Sequence, residues 1–288
     1  MGDANRKVKV AALSIISNVT LILLKVTAGI LSGSVSIISE AIHSGMDLLA
    51  AIITFFSVRL SSKPADKGHP YGHGKIENVS GVVEALLIFA AAFFIIKAAV
   101  EKMMHPGEMG ETAVAVGVMM ISAAANAIVS KKLYKVAKEE DSVALEADAL
   151  HLKTDVYTSL GVGAGLVLIK LTGLFILDPI VAILVALLII KEAWSLCRNA
   201  FCPLLDTKLS DEEEEKIKTI ISGYKGKVVD YHKLRTRKSG NMKYIDFHML
   251  VDEGLSVGEA HGLSEELEKD IEEAIKNTNV NIHIEPAG

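Results

Sequence analysis

The sequence has only two cysteines, no excess of basic residues and no long apolar run after Pro203. Cys197 and Cys202 stand at the end of the last apolar run, where a disulfide is not expected. The net charge is −5, and residues 206–288 hold 12 Lys and Arg against 18 Asp and Glu, which argues against a nucleic acid partner. No His-Glu-x-x-His motif is present, so the ligands and general base of a typical zinc hydrolase are missing and we do not expect an enzyme.

Long apolar runs dominate the first two thirds of the chain. Half of the residues are hydrophobic and the mean hydropathy is +0.38, more than a soluble domain needs to cover one core. A helix needs roughly 20 apolar residues to cross a bilayer. Six runs qualify, so residues 1–205 are predicted to form a six-helix transmembrane domain: 10–31, 35–58, 79–100, 112–130, 156–177 and 179–196. The first run carries Lys25 and is interpreted as a retained helix and not as a cleaved signal peptide.

Lysine and arginine concentrate on one side of the predicted bundle. They precede the first span and fill the second and fourth loops, with four basic residues in each loop, whereas the odd-numbered loops hold few. Because basic loops stay on the cytoplasmic side, both termini are predicted to be cytoplasmic.

Residues 206–288 have the pattern of a separate soluble domain. Two helices are predicted, each opened by a capping box, Ser210 with Glu213 and Ser256 with Glu259. Two alternating segments flank Ser239-Gly240, as in a hairpin, and the segment NVNIHIE forms a last strand. The predicted order is αββαβ, a small open sheet with helices on one face.

Two similar segments place ionisable residues inside the apolar runs. EAIHSGMD at 40–47 and DALHLKTD at 148–155 share the pattern His-x-x-x-Asp, on the middle helix of each group of three. Three spans per group would make these helices antiparallel, as in transporters with inverted repeats. Residues four apart lie on one helical face, so His43, Asp47, His151 and Asp155 are predicted to surround one point with two nitrogens and two oxygens, a set suited to Zn²⁺. The alternative is a hydrogen bond between helices.

Two further groups of residues could hold metal outside the bilayer. Asp66, His69 and His73 lie in a glycine-rich loop that could fold around one cation, although an ordinary loop is the alternative. In the tail, the candidate ligands lie on three strands and one helix and predict cytosolic metal binding, with a subunit interface as one possible place: His232, His248, His261, His283 and Glu285.

Together these features resemble the cation diffusion facilitator family of divalent-metal/proton antiporters. The resemblance covers six spans, the paired His-x-x-x-Asp motifs, the histidine loop and a metallochaperone-like tail. It implies a homodimer whose tails meet and hold metal between them. It also implies a charge interlock between Lys75 and Asp206 that joins the two domains. The chain departs from the relatives of bacterial iron and zinc exporters, which have Asp where this chain has His43, and Glu285 replaces a more usual Asp.

The expected function is export of a divalent cation, most of all Zn²⁺, from the cytoplasm in exchange for protons. The long histidine-rich insert of eukaryotic vesicular zinc transporters is absent, so we expect a protein of the prokaryotic plasma membrane. Three alternatives stay open. They are a membrane metal sensor, an intramembrane metalloenzyme, and a carrier mainly for Fe²⁺, Mn²⁺, Cd²⁺ or Co²⁺.

Overall fold

A computed structural model describes residues 2–32, 35–104, 113–172, 174 and 176–287. The chain divides into two compact units, Met1–Phe201 and Cys202–Gly288. Within its described residues, the first unit has helices and connecting loops but no strand, and the second unit combines helices with one sheet.

Six long helices build the first unit. Their bounds are α1 Gly2–Ser32, α2 Val35–Ser61, α3 Lys75–Met104, α4 Ala113–Glu139, α5 Val143–Thr172 and α6 Leu177–Phe201. Within the described residues, all of them except α5 contain a segment that is long and apolar enough to cross a membrane. The predicted six-helix architecture is confirmed.

The start of α5 differs from the predicted span 156–177. The helix begins at Val143. Its first half contains ionisable residues, and the hydropathy count therefore left that half out of the predicted span. Asp148 is fully buried, and Glu146 accepts a hydrogen bond from Lys138 at 2.7 Å. The helix therefore starts in a segment that a hydropathy count treats as too polar for a span.

Small residues let the helices approach closely. The helices α1 and α2, α3 and α6, and α4 and α5 pack side by side, and α2 also packs on α5. Gly81 of α3 faces the first turn of α5, where an added Cβ would lie 2.8 Å from Cγ1 of Val143. Alanines without exposed surface fill the contact of α3 with α6, among them Ala85, Ala92 and Ala193.

A buried ion pair joins the N-terminal part of α1 to the start of α3. Nζ of Lys7 lies 2.7 Å from Oε1 of Glu77, and the two residues are 5% and 2% exposed. The hydroxyls of Ser61 and Ser142 also donate to the Glu77 carboxylate. One carboxylate thus connects α1, the end of α2, α3 and the turn before α5.

The second unit has the predicted order αββαβ after a short 3-10 turn, Cys202–Leu205. Its elements are α7 Asp211–Gly223, β1 Asp230–Ser239, β2 Met242–Val251, α8 Val257–Ala274 and β3 Thr278–Pro286. β1 and β2 form an antiparallel hairpin turned by Gly240 at φ 61°, and β3 pairs with β2 in parallel. Both predicted capping boxes, at Ser210 and at Ser256, are present.

One face of this sheet is covered by the two helices. β2 turns Ile245, Phe247 and Met249 into the core, each 1% exposed or less, where they meet Ile217 of α7 and Leu267 of α8. Because side chains alternate along a strand, the residues between them lie on the opposite face. That face carries His232, His248 and His283.

Candidate metal sites

The two His-x-x-x-Asp motifs of the membrane unit meet across the contact of α2 with α5. His43 pairs with Asp155, with 4.0 Å between Nε2 and Oδ1, and His151 pairs with Asp47 at 3.2 Å. Each pair therefore joins two helices, and does not form within one motif. In each pair, the first residue of one motif contacts the last residue of the other motif, as expected of antiparallel helices.

The ligand atoms of this cluster are close enough for one ion to touch several of them. Suitable atoms of His43, Asp47 and Asp155 all lie within 4.8 Å of one another, and His151 adjoins through Asp47. The four side chains line a cavity of about 600 Å³ that is bounded by residues of α1 to α5. The His43 side chain is 56% exposed towards this space, whereas that of Asp47 is 5% exposed. An ion could thus enter from the cavity and reach a buried carboxylate.

Two asparagines position the acidic ligands. Nδ2 of Asn126 donates to Oδ2 of Asp155 at 3.2 Å, and Nδ2 of Asn18 donates to the backbone oxygen of Asp47 at 3.3 Å. Both hydrogen bonds join neighbouring helices, and both end on residues of the His-x-x-x-Asp motifs. Asn126 leaves the second oxygen, Oδ1, of Asp155 for other contacts.

Lys25 places a cationic side chain beside the cluster. It is 5% exposed, lines the cavity, and donates to Oγ of Ser44 at 2.8 Å. A lysine anchored there adds positive charge close to two aspartates.

Two buried acids accompany the cluster outside the cavity. Asp148 of α5 is fully buried, and neither of its oxygens has a hydrogen-bond partner among the described residues. Glu84 of α3 is also fully buried and accepts a hydrogen bond from Thr54. The side chain of Glu40, the matching acid of α2, lies outside the described residues.

The loop between α2 and α3 gathers its three predicted ligands. Asp66 contacts Nδ1 of His69 at 3.3 Å and Nε2 of His73 at 3.4 Å, and ligand atoms of all three lie within 4.8 Å. The backbone N–H groups of His69 and Gly68 donate to Oδ1 of Asp66 at 2.7 and 2.9 Å. The hydrogen bond from His69 lowers the pKa of Asp66, which keeps this carboxylate ionised. Gly72, at φ 79°, supplies the left-handed turn that the loop needs.

In the tail, three histidines stand in one row across the sheet. His232 of β1 is paired with His248 of β2, which is paired with His283 of β3. Glu285 lies beside them, with its oxygens 2.7 Å from Nδ1 of His248 and 3.2 Å from Nε2 of His232. The hydrogen bond with His248 lowers the pKa of Glu285. This row lies on the sheet face opposite the core.

Three of the predicted residues stand apart from these clusters. His261 lies on α8, where its Nε2 is 3.4 Å from Oε1 of Glu265, and the tail group within 4.8 Å consists of His232, His248 and Glu285. Asp206 is 3.6 Å from Arg237 in its own unit. Lys75 begins α3 in the other unit, and its interlock with Asp206 stays a prediction.

Comparison with known proteins extends over nearly the whole chain. The family described as the cation efflux transmembrane domain matches residues 11–205, and the cytoplasmic domain of cation efflux proteins matches residues 209–287. A solved structure of CzrB is 34% identical over 28% of this chain and 99% of its own, with a TM-score of 0.27.

Full-length relatives give the same result. An uncharacterised transporter of Synechocystis sp. is 35% identical over 96% of this chain and 89% of its own length. The cation-efflux pump FieF of Shewanella oneidensis is 31% identical over 95% of this chain and 92% of its own length. The FieF pump of Yersinia pestis is 30% identical over 98% of this chain and 93% of its own length. This multi-pass membrane protein therefore belongs to the cation efflux family, also called the cation diffusion facilitators, as its paired motifs predict.

Proposed function

We propose that this protein exports divalent transition-metal cations, chiefly Zn²⁺, from the cytoplasm in exchange for protons. The observation that carries the proposal is the cluster of His43, Asp47, His151 and Asp155 around one cavity inside apolar helices. Ionisable groups at such a depth are costly and are usually functional. The family relationship supports efflux of a cation, and the cluster supports the nature of that cation.

The donor set favours zinc over the common hard cations. Two imidazole nitrogens and two carboxylate oxygens suit tetrahedral Zn²⁺, whereas Mg²⁺ and Ca²⁺ prefer oxygen ligands alone. Two aspartates also balance the charge of a divalent ion. Cd²⁺, Co²⁺, Fe²⁺ and Mn²⁺ can use the same ligands, so geometry and availability would decide among them.

Proton coupling follows from the chemistry of the ligands. An imidazole binds a metal only when the coordinating nitrogen is unprotonated, so loading the site releases protons and protonation expels the metal. The pairs His43–Asp155 and His151–Asp47 let each imidazole give up its metal and bond to a carboxylate of the other helix. Alternating exposure of the cavity to the two sides would then couple metal export to proton entry.

The remaining parts of the proposal concern topology and regulation. The basic residues around the second loop and in the last turns of α4 support cytoplasmic termini in the plasma (inner) membrane of a prokaryote. The match to the family's cytoplasmic domain supports a homodimer. Residues of the tail row would hold a regulatory Zn²⁺ between two tails, to which His261 of α8 could contribute from the partner subunit. Asp66, His69 and His73 would hold a further exchangeable ion.

Reconstituted vesicles test the transport site directly. Zinc flux and internal pH are followed together under an imposed proton gradient, with a panel of other metals alongside. The variants His43→Ala and Asp155→Ala should abolish both signals, whereas Met46→Ala, which alters a cavity residue that is not a predicted ligand, should retain them. His43→Asp restores an oxygen ligand and should keep transport while shifting the preference away from zinc. Undiminished exchange in His43→Ala and Asp155→Ala would refute the site.

A further inference from the structure

A second cavity of the membrane unit lies between α4, α5 and α6, apart from the metal clusters. It measures about 600 Å³ and is lined by four lysines and two glutamates together with apolar side chains. Lys131, Lys135 and Lys138 recur every three or four residues on one face of α4, and Lys153 faces them from α5. No step of the proposed transport uses these residues.

The acidic residues of the cavity compensate only part of this positive charge. Glu146 accepts a hydrogen bond from Lys138 at 2.7 Å, and Glu192 lies 3.8 Å from Lys153. Two of the four lysines are thereby neutralised within the cavity.

The other two lysines are left for a ligand from outside. Among the described residues, Lys135 has one ion-pair partner, the exposed Glu139 at 3.9 Å, and Glu139 also pairs with Arg6. Lys131 is exposed and has no ion-pair partner among the residues that the structure describes. An anion is therefore the complementary ligand.

Polarity changes along the cavity in the way that an amphipathic ligand requires. Its lining on α4 runs from Ala127 to Lys138, about 16 Å at roughly 1.5 Å per residue. The deeper end carries Val156 of α5 and the mutually compensating pair Lys153–Glu192, whereas Lys131 and Lys135 of α4 lie towards the helix end at Glu139. A small soluble anion would use the basic end alone, whereas a phospholipid would use both ends.

We propose that this cavity binds an anionic phospholipid, with the headgroup phosphate at Lys131 and Lys135 and the acyl chains along the apolar lining. Basic pockets between transmembrane helices are suited to such headgroups. Tyr134, half exposed between the two lysines in sequence, provides an amphipathic ring at this level. With the proposed cytoplasmic termini, the lipid belongs to the cytoplasmic leaflet.

Lys131 and Lys132 provide a matched pair of variants. Both are exposed lysines of α4, but only Lys131 lines the cavity. Binding of phosphatidylglycerol and of phosphatidylcholine with the same acyl chains is measured by native mass spectrometry of the full-length protein in detergent. Inorganic phosphate alone is titrated as a third ligand.

Phosphatidylglycerol should bind more tightly than phosphatidylcholine. Lys131→Gln should weaken this binding about fivefold, since each lysine near an anionic lipid contributes about that factor, and Lys131→Gln with Lys135→Gln about 25-fold. Lys132→Gln should leave it unchanged, and unchanged phosphatidylcholine binding by all variants would show that they are folded. Equal affinity for the two lipids would overturn the proposal. An equal loss of phosphatidylglycerol affinity in Lys131→Gln and Lys132→Gln would overturn it too. If inorganic phosphate alone binds and this binding needs Lys131, the cavity is a site for a soluble anion. That result would overturn the proposal as well.

Discussion

Nε2 of His151 lies 3.2 Å from Oδ1 of Asp47, so that a residue of α5 contacts a residue of α2 from the other half of the bundle. Both side chains are largely buried, at 12% and 5% exposure. Without metal, this contact gives each polar group a partner inside the bundle, which lowers the cost of burying it. With metal, both groups would become ligands, so the same residues would serve both states of a carrier.

Asn126 should tune the affinity for metal without being a ligand. Its side chain donates to Oδ2 of Asp155, and loss of a residue that orients a ligand typically weakens metal binding about 10- to 100-fold. We expect Asn126→Ala to raise the zinc concentration for half-maximal flux by about that factor, whereas Asp155→Ala abolishes flux. Ser122→Ala is the control, since Ser122 lines the same cavity one turn earlier and its hydroxyl has no hydrogen-bond partner among the described residues. A normal concentration dependence for Asn126→Ala would contradict this role.

Removal of one partner of the buried pair Lys7–Glu77 should destabilise the membrane unit. The single variants Lys7→Met and Glu77→Gln each leave an uncompensated buried charge, which typically costs about 3–5 kcal/mol. The double variant should recover much of this loss. Unfolding of the purified protein in mixed micelles gives the four free energies of the double-mutant cycle.

Lys97 and Glu101 supply the control for that cycle. They are also paired, at 3.7 Å, but both side chains are about 60% exposed. Lys97→Gln should change stability by less than about 1 kcal/mol, as for other surface ion pairs. Additive effects of Lys7→Met and Glu77→Gln would show that the buried pair is not coupled.

Acid should weaken the contact between α7 and β2. Burial raises the pKa of Glu213, but hydrogen bonds from Lys243 and Ser210 outweigh it, so the pKa lies below the ordinary 4.5. Because the pKa is lower in the folded state, ionised Glu213 stabilises the fold at any pH above its pKa in the unfolded chain. This contribution is lost as the pH falls through its pKa in the folded state. Carboxyl-selective NMR should show Glu213 titrating below pH 4.5, and Lys243→Met should raise its pKa. An unchanged pKa in Lys243→Met would contradict the assignment.

Tyr224 should titrate later than an ordinary tyrosine. Burial, followed by the hydrogen bond that its hydroxyl donates to Asp270 at 2.6 Å, raises its pKa to about 12. The neutral form is the favoured one, so its contribution to stability is complete below pH 10 and is lost as the pH rises through about 12. Ultraviolet titration should lose this late step in Tyr224→Phe and shift it downwards in Asp270→Asn. A step that stays near pH 12 in Asp270→Asn would exclude this hydrogen bond as a cause.

Local patterns predicted much of the fold. Each capping box needs only residues three apart, and the hairpin needs only its strands and the turn at Gly240, so both could be read from short segments. The start of α5 could not, since hydropathy counts Asp148 as polar whether or not the bundle buries it. The same limit applies to Lys7, which counts as a loop charge in the sequence but is buried against Glu77.

The candidate sites also combine features that local spacing predicts with features that depend on packing. The spacing of His43 with Asp47 and of His151 with Asp155 identified the residues, because a helix places such pairs on one face. The pairing of His43 with Asp155 of the other motif depends on how α2 packs against α5. The row of histidines across the tail likewise depends on strand register, which pairs residues far apart in the chain.

By itself, the sequence determined the number of long helices, the order of elements in the tail and the residue types of the candidate ligands, since these follow from composition and short-range spacing. Only the tertiary structure decided which candidate ligands share a centre and which charged side chains have Asn126, Glu77 or Glu146 as partners. The physical reason is that a side chain's solvation and its neighbours are properties of packing between distant segments, and packing has no local signature in the chain.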